Sequence, residues 1–144
     1  MSQTVLLILA TLVYAAFGIF ASQAGGRIDA KLSSGILNGI GAILPLAIWQ
    51  VQRMTRGGLI ASSSWGLAYS ILAGLAVGVF SILLVTLYAR GGELSFVFPV
   101  IYGGAIALTA VIGWLALGDA FTWTRLGGVV VIVVGIGLLA LPTS

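Results

Sequence analysis

Few residues of this chain have side chains suited to binding or chemistry, and those few lie inside long apolar stretches. The candidates are aromatic, amide and hydroxyl side chains: Tyr14, Phe17, Asn38, Tyr69, Tyr102 and Thr109. The stretches around them contain no Asp, Glu, Lys or Arg, and the sequence has no His and no Cys. A serine or threonine needs a neighbouring His or acid as an activating base, and these stretches supply neither. His and Cys, the commonest metal ligands, are also missing. We therefore expect a binding site for a small molecule, with no catalytic residue, no metal and no cofactor, and not an enzyme.

Composition predicts the elements that hold these residues. Hydrophobic residues make up 60% of the 144 residues and charged residues 6%, where about 25% charged is usual. A bilayer core about 30 Å thick is crossed by about 20 apolar helical residues. The first apolar stretch has no Lys or Arg before it, which argues against a cleaved signal peptide. We predict an all-α membrane protein, a single domain over residues 1–144, whose five transmembrane helices lie at about 4–22, 33–52, 65–89, 95–118 and 124–142.

The positive charges do not select an orientation in the membrane. With five spans, one face carries Arg53, Arg56 and Arg125, and the other carries Arg27, Lys31 and Arg90. Orientation normally follows an excess of Lys and Arg on one side. Either a small effect outside this count decides the orientation, or the chain inserts both ways and pairs antiparallel with itself. The cations are scattered, which excludes the clustered basic face that nucleic-acid binding requires.

Several residues have two possible roles. Pro45 can act as a hinge or leave a static kink, and Gly103 and Gly104 allow close helix packing beside Tyr102. Asn38 must find a hydrogen-bond partner within the bundle, whether substrate or another helix. Hydroxyls inside the third span, those of Ser70, Ser81 and Thr86, can bond to their own helix and are weak signals. Asp119 and Arg125 predict a local ion pair or a solvated loop.

The second half of the chain resembles the EamA-type repeat of the drug/metabolite transporter superfamily. The resemblance lies in the segments "LYARGGELS", "FPVIYGGAIA", "GWLALGDAFT" and "RLGGVVVIVVGIGLLAL". The third of these is similar to the family's G-W-L-x-x-G-E, with Asp119 where the family has Glu. The resemblance covers about half the chain, and the first two spans agree in length and spacing only. The chain thus resembles a single-repeat, five-helix member, related to but distinct from the small multidrug resistance proteins.

The resemblance implies a transporter built from two copies. Most EamA-type transporters carry two repeats in one chain, so a single repeat implies one half of a ten-helix inverted-repeat bundle, completed by an antiparallel, dual-topology homodimer. The "YGGAIA" segment corresponds to a stretch that lines the substrate cavity in the small multidrug resistance branch, which implicates Tyr102. The last helix packs repeat against repeat in these families, which implies a dimer seam at Gly128, Val131 and Gly135.

The expected function is transport of a small organic metabolite or drug-like compound by alternating access, with the chain multi-pass in the cell (inner) membrane. The expected partners are a second copy, the lipid bilayer and a small-molecule substrate, with no nucleic acid. One alternative is a non-transporting subunit of a heterodimeric lipid-carrier flippase or of another membrane complex. A proton-coupled cation exporter of the small multidrug resistance type is disfavoured, because that branch relies on a Glu in the first span and this span has none.

Overall fold

The computed structural model describes residues 2–56, 63–120 and 122–139, apart from the side chain of Arg56, and all regular structure in these ranges is α-helical. The five helices are α1 Gln3–Ala24, α2 Ala30–Arg56, α3 Ser64–Ala89, α4 Leu94–Ala116 and α5 Trp123–Leu139. Their bounds lie within a few residues of the five predicted spans, and the helical fold class is confirmed. Residues 140–142 of the last predicted span lie outside the described residues.

Four of the helices, α1 to α4, are long and apolar enough to cross a membrane, which indicates a membrane protein. The fifth, α5, is apolar and is described over 17 residues. Large apolar side chains remain exposed along the helices, among them Phe20 at 72% and Leu115 at 70%. Contiguous apolar surface on this scale needs lipid or another protein chain against it.

Local sequence explains where four of the helices begin. Side-chain oxygens of Ser2, Asp29, Ser63 and Thr122 accept hydrogen bonds from backbone N–H groups in the first turns of α1, α2, α3 and α5, respectively. These N–H groups have no partner inside the helix, so short polar side chains favour a helix start there. Gly26, Gly91 and Gly118, which follow α1, α3 and α4, have positive φ, a conformation that glycine adopts without strain.

The chain divides between Gly91 and Gly92 into two compact units, which are described separately. The first unit holds α1, α2 and α3, with α3 packed against both other helices. Leu84 and Val85 of α3 are fully buried, and Gly25 lies so close to Tyr88 that an added Cβ would overlap it. The second unit holds α4 packed against α5. That the chain forms a single domain stays a prediction.

Candidate functional site

A polar cluster joins α2 to α3 in the first unit. The hydroxyls of Ser34 and Ser81 are hydrogen-bonded to each other, and both residues are buried. The amide nitrogen of Asn38 lies 2.7 Å from Ser81 Oγ and 3.3 Å from Ser34 Oγ. Ser34 and Asn38 are four residues apart and therefore share one face of α2. This cluster, Ser34–Asn38–Ser81, is an interhelical polar contact that gives the half-buried Asn38 a partner within the apolar bundle.

The geometry fixes the orientation of the Asn38 amide. Its Nδ2 donates to the backbone carbonyl of Ser34 at 2.8 Å. A carbonyl oxygen can only accept, so exchanging the amide nitrogen and oxygen would set two acceptors against each other. Nδ2 is thus held by the protein, while Oδ1 accepts no hydrogen bond from the described residues. Oδ1 is an acceptor available to a ligand.

An aromatic pair on α1 faces the same cavity as Asn38. The rings of Tyr14 and Phe17 are stacked, with centroids 5.7 Å apart and planes 18° apart. The cavity has a volume of about 590 Å³ and is open on one side. Residues of all three helices of the first unit line it: Tyr14, Phe17, Leu37, Asn38, Ile40, Gly41, Val77, Phe80 and Ser81. Its size is within the roughly 300–1,000 Å³ of small-molecule sites.

The lining determines what this cavity can bind. Among the described residues that line it, none is charged, and an ion moved there from water would lose its hydration without a counter-charge. Aromatic faces and the Asn38 carbonyl favour a neutral, flat molecule that donates a hydrogen bond. The described lining residues supply aromatic faces, an amide and a hydroxyl, which are groups suited to binding a small molecule.

A second cleft adjoins this cavity. Its volume is about 560 Å³, and Asn38 and Val77 line both spaces. Gly35, Gly74 and Gly78 line it, and an added Cβ at any of them would meet no atom within 4 Å. The Asn38 side chain therefore lies at the boundary between two open spaces beside the α2–α3 contact.

The structure brings together three of the six predicted binding residues, Tyr14, Phe17 and Asn38. Tyr69 lies elsewhere on α3, where it is 67% exposed and its ring contacts that of Trp65 at 6.3 Å between centroids. It does not line the cavity; the α3 residues that do, Val77, Phe80 and Ser81, lie about two to three turns further along the helix.

Tyr102 and Thr109 belong to α4 in the second unit. The Tyr102 ring lies 4.1 Å from that of Phe98 between centroids. The Thr109 hydroxyl donates to the Ala105 carbonyl of its own helix at 2.8 Å. That these two residues share a substrate cavity with the first three stays a prediction.

The predicted packing residues differ in their surroundings. Pro45 lies inside α2, which continues through it. An added Cβ at Gly103 would overlap the Ile136 side chain of α5, whereas one at Gly104 would meet no atom within 4 Å. Gly128 and Gly135 also have open space beside them, and Val131 is 71% exposed. The proposed seam face of α5 is therefore not used in packing against α4.

Sequence reasoning gave Ser34 no role and treated Ser81 as a weak signal. The spacing of Ser34 and Asn38 by four residues was available as a signal for one polar face of α2. Ser81 does donate to its own helix, to the Gly78 carbonyl at 2.9 Å, and it also accepts from Asn38. The pairing of α2 with α3 that brings these groups together depends on tertiary packing, which residue spacing within one helix does not encode.

No three acidic side chains gather into a metal-binding group within the described ranges. Comparison with protein-family models, curated proteins and solved structures finds no match for this chain.

Proposed function

We propose that this chain is a membrane transporter of a small, neutral organic compound, of the EamA-like type in the drug/metabolite transporter superfamily. The observation that carries the proposal is the cavity in which the Tyr14–Phe17 stack and the free Asn38 Oδ1 meet. An open cavity with aromatic walls and one oriented acceptor, on helices able to cross a membrane, suits reversible binding of a substrate within the bilayer.

The proposed mechanism is alternating access in an antiparallel homodimer located in the cell (inner) membrane. The equal Lys and Arg counts on the two faces support insertion in both orientations. Two copies inserted in opposite orientations form the same kind of inverted repeat that other transporters build from two repeats in one chain. The open face of α5 at Gly128, Val131 and Gly135 supports a seam between copies. Because none of the described residues that line the cavity is charged, we expect facilitated transport that is not coupled to protons.

Transport is tested in proteoliposomes loaded with adenosine, nicotinamide and pyridoxine, which are neutral, planar and carry N–H or O–H donors. Efflux is measured by mass spectrometry for the wild type, Asn38→Leu and the control Ser70→Ala. Ser70 bonds only to the Gly66 carbonyl of its own helix and does not line the cavity. We expect at least one compound to leave faster with wild type and Ser70→Ala than with Asn38→Leu. Equal efflux from all three and from protein-free liposomes would contradict the proposal.

Orientation is tested with a single cysteine, because the chain has none. Thr143→Cys, outside the described residues, is labelled with a membrane-impermeant maleimide in intact and in opened cells. Labelling of about half the molecules from outside supports dual topology. Labelling from one side only rejects self-inversion and favours the alternative, a subunit that pairs with an oppositely oriented partner.

A further inference from the structure

The second unit contains a separate cavity where α4 meets the start of α5. Its volume is about 260 Å³, and Asp119, Arg125 and Trp114 line it together with apolar side chains. This cavity brings one anionic and one cationic side chain to the same space, unlike the uncharged cavity of the first unit.

The turn after α4 places Asp119. Gly118, with φ of +74°, reverses the chain, and the Asp119 N–H then donates to the Gly113 carbonyl at 3.0 Å. The carboxylate lies against the Gly113 backbone, where a Cβ would come within 2.5 Å of Asp119 Oδ2. Glycine at position 113 therefore leaves the room that the carboxylate occupies. No described residue donates a hydrogen bond to this carboxylate.

The first turn of α5 places Arg125. Its backbone N–H donates to Thr122 Oγ1 at 3.2 Å, and its Nη1 donates to the Ala120 carbonyl at 2.7 Å. The ion pair with Asp119, one of the two alternatives that the sequence left open, is not formed, and the guanidinium is engaged with this carbonyl. Since a guanidinium has five N–H donors, most of them remain available to a ligand.

We propose that this cavity binds a zwitterion, with the ligand's ammonium group at Asp119 and its phosphate or carboxylate at Arg125. Asp119 and Arg125 line one cavity and form no ion pair with each other. Their opposite charges are therefore complementary to a molecule that carries one positive and one negative group. The Trp114 ring adds an aromatic wall, which also attracts an ammonium group. The site lies at the helix ends, where phospholipid headgroups offer an ammonium group and a phosphate. A soluble amino acid or betaine would offer an ammonium group and a carboxylate. The proposal does not depend on the transport function.

Binding is measured by native mass spectrometry of the detergent-purified protein with dioleoyl phosphatidylethanolamine, phosphatidylcholine and phosphatidylglycerol. We expect the two zwitterionic lipids to be retained about tenfold better than the anionic one, as one charge-assisted contact allows. Asp119→Asn should remove that preference. Arg125→Gln should weaken the binding of all three lipids, because each of them carries a phosphate. Glu93→Gln and Arg90→Gln make the same charge changes at the α3–α4 connection and should change nothing.

The source of the zwitterion is determined by competition with soluble glycerophosphoethanolamine and glycine betaine. Displacement of the bound lipid assigns the site to soluble zwitterions as well, and retention assigns it to the lipid. The proposal is overturned if phosphatidylglycerol binds the wild type as well as the other two lipids do. It is equally overturned if Asp119→Asn keeps both its helical circular dichroism and the zwitterion preference.

Discussion

The two units of the chain join their helices in different ways. In the first, α2 and α3 are linked through the hydroxyls of buried Ser34 and Ser81 and the amide of half-buried Asn38. In the second, Gly103 of α4 receives Ile132 and Ile136 of α5, and the nearby Thr109 hydroxyl bonds to its own helix. A polar contact permits fewer alternative alignments than an apolar one, because sliding would leave its donors unpaired. We infer that the polar contact in the first unit fixes how α2 aligns with α3. The contact in the second unit instead brings α4 and α5 close together.

The largest expected effect comes from filling the glycine contact of the second unit. Gly103→Leu would overlap Ile136, and we expect a loss of about 2–3 kcal/mol in the free energy of unfolding, as overpacked cores show. The matched control is Gly104→Leu, one residue away with open space beside it. Both are measured by circular dichroism during titration with sodium dodecyl sulfate. Equal effects of the two substitutions would show that α4 and α5 do not pack through Gly103.

Removing the central amide of the first unit should have a smaller effect. Asn38→Leu removes one interhelical bond, to Ser81, and two bonds to Ser34 of its own helix. Interhelical hydrogen bonds in membranes average about 0.6 kcal/mol and reach about 1.7 kcal/mol. We expect the free energy of unfolding to fall by about 1 kcal/mol in the same titration. No change relative to the Ser70→Ala control would mean that the amide does not hold α2 to α3.

Hydroxyls in the two units provide a direct comparison. Ser81→Ala removes a hydroxyl that makes two bonds to α2, with Ser34 and Asn38, and should destabilise by about 1 kcal/mol. Thr109→Val removes a hydroxyl that bonds only to its own helix and should leave stability nearly unchanged. A double-mutant cycle of Ser81→Ala with Asn38→Ala should reveal coupling between the two sites. Additive effects would contradict the shared cluster.

A substitution at Gly74 in the second cleft should not destabilise the first unit. Its Cβ space is empty, so Gly74→Ala should be neutral or stabilise α3 by up to about 1 kcal/mol through helix propensity. Thermal unfolding monitored by circular dichroism measures this change. A clear destabilisation would show that another helix or a second copy occupies the cleft in the sample.

Much of the fold could be predicted from the sequence because apolar length alone defines membrane helices. The grouping of Tyr14, Phe17 and Asn38 was also predictable, since each lies on a face with small or aromatic neighbours. The outcome for Tyr69 was not, because α3 is apolar all round and its pattern does not show which face meets α1 and α2. Of the two alternatives for Asp119 and Arg125, the structure does not form the ion pair, and the Arg125 guanidinium donates to the Ala120 carbonyl; the solvated loop stays a prediction.

The two helices that carry the polar cluster are longer than the hydrocarbon core of a bilayer is thick. The 27 residues of α2 and the 26 of α3 correspond to about 40 Å of helix each, against a hydrocarbon core of about 30 Å. Helices of this length must lean away from the membrane normal or project beyond the core. A thinner membrane would increase that lean for both helices together. Because sliding α2 along α3 would break the hydrogen bonds of the Ser34–Asn38–Ser81 cluster, a change in lipid thickness would tilt the two helices as a pair.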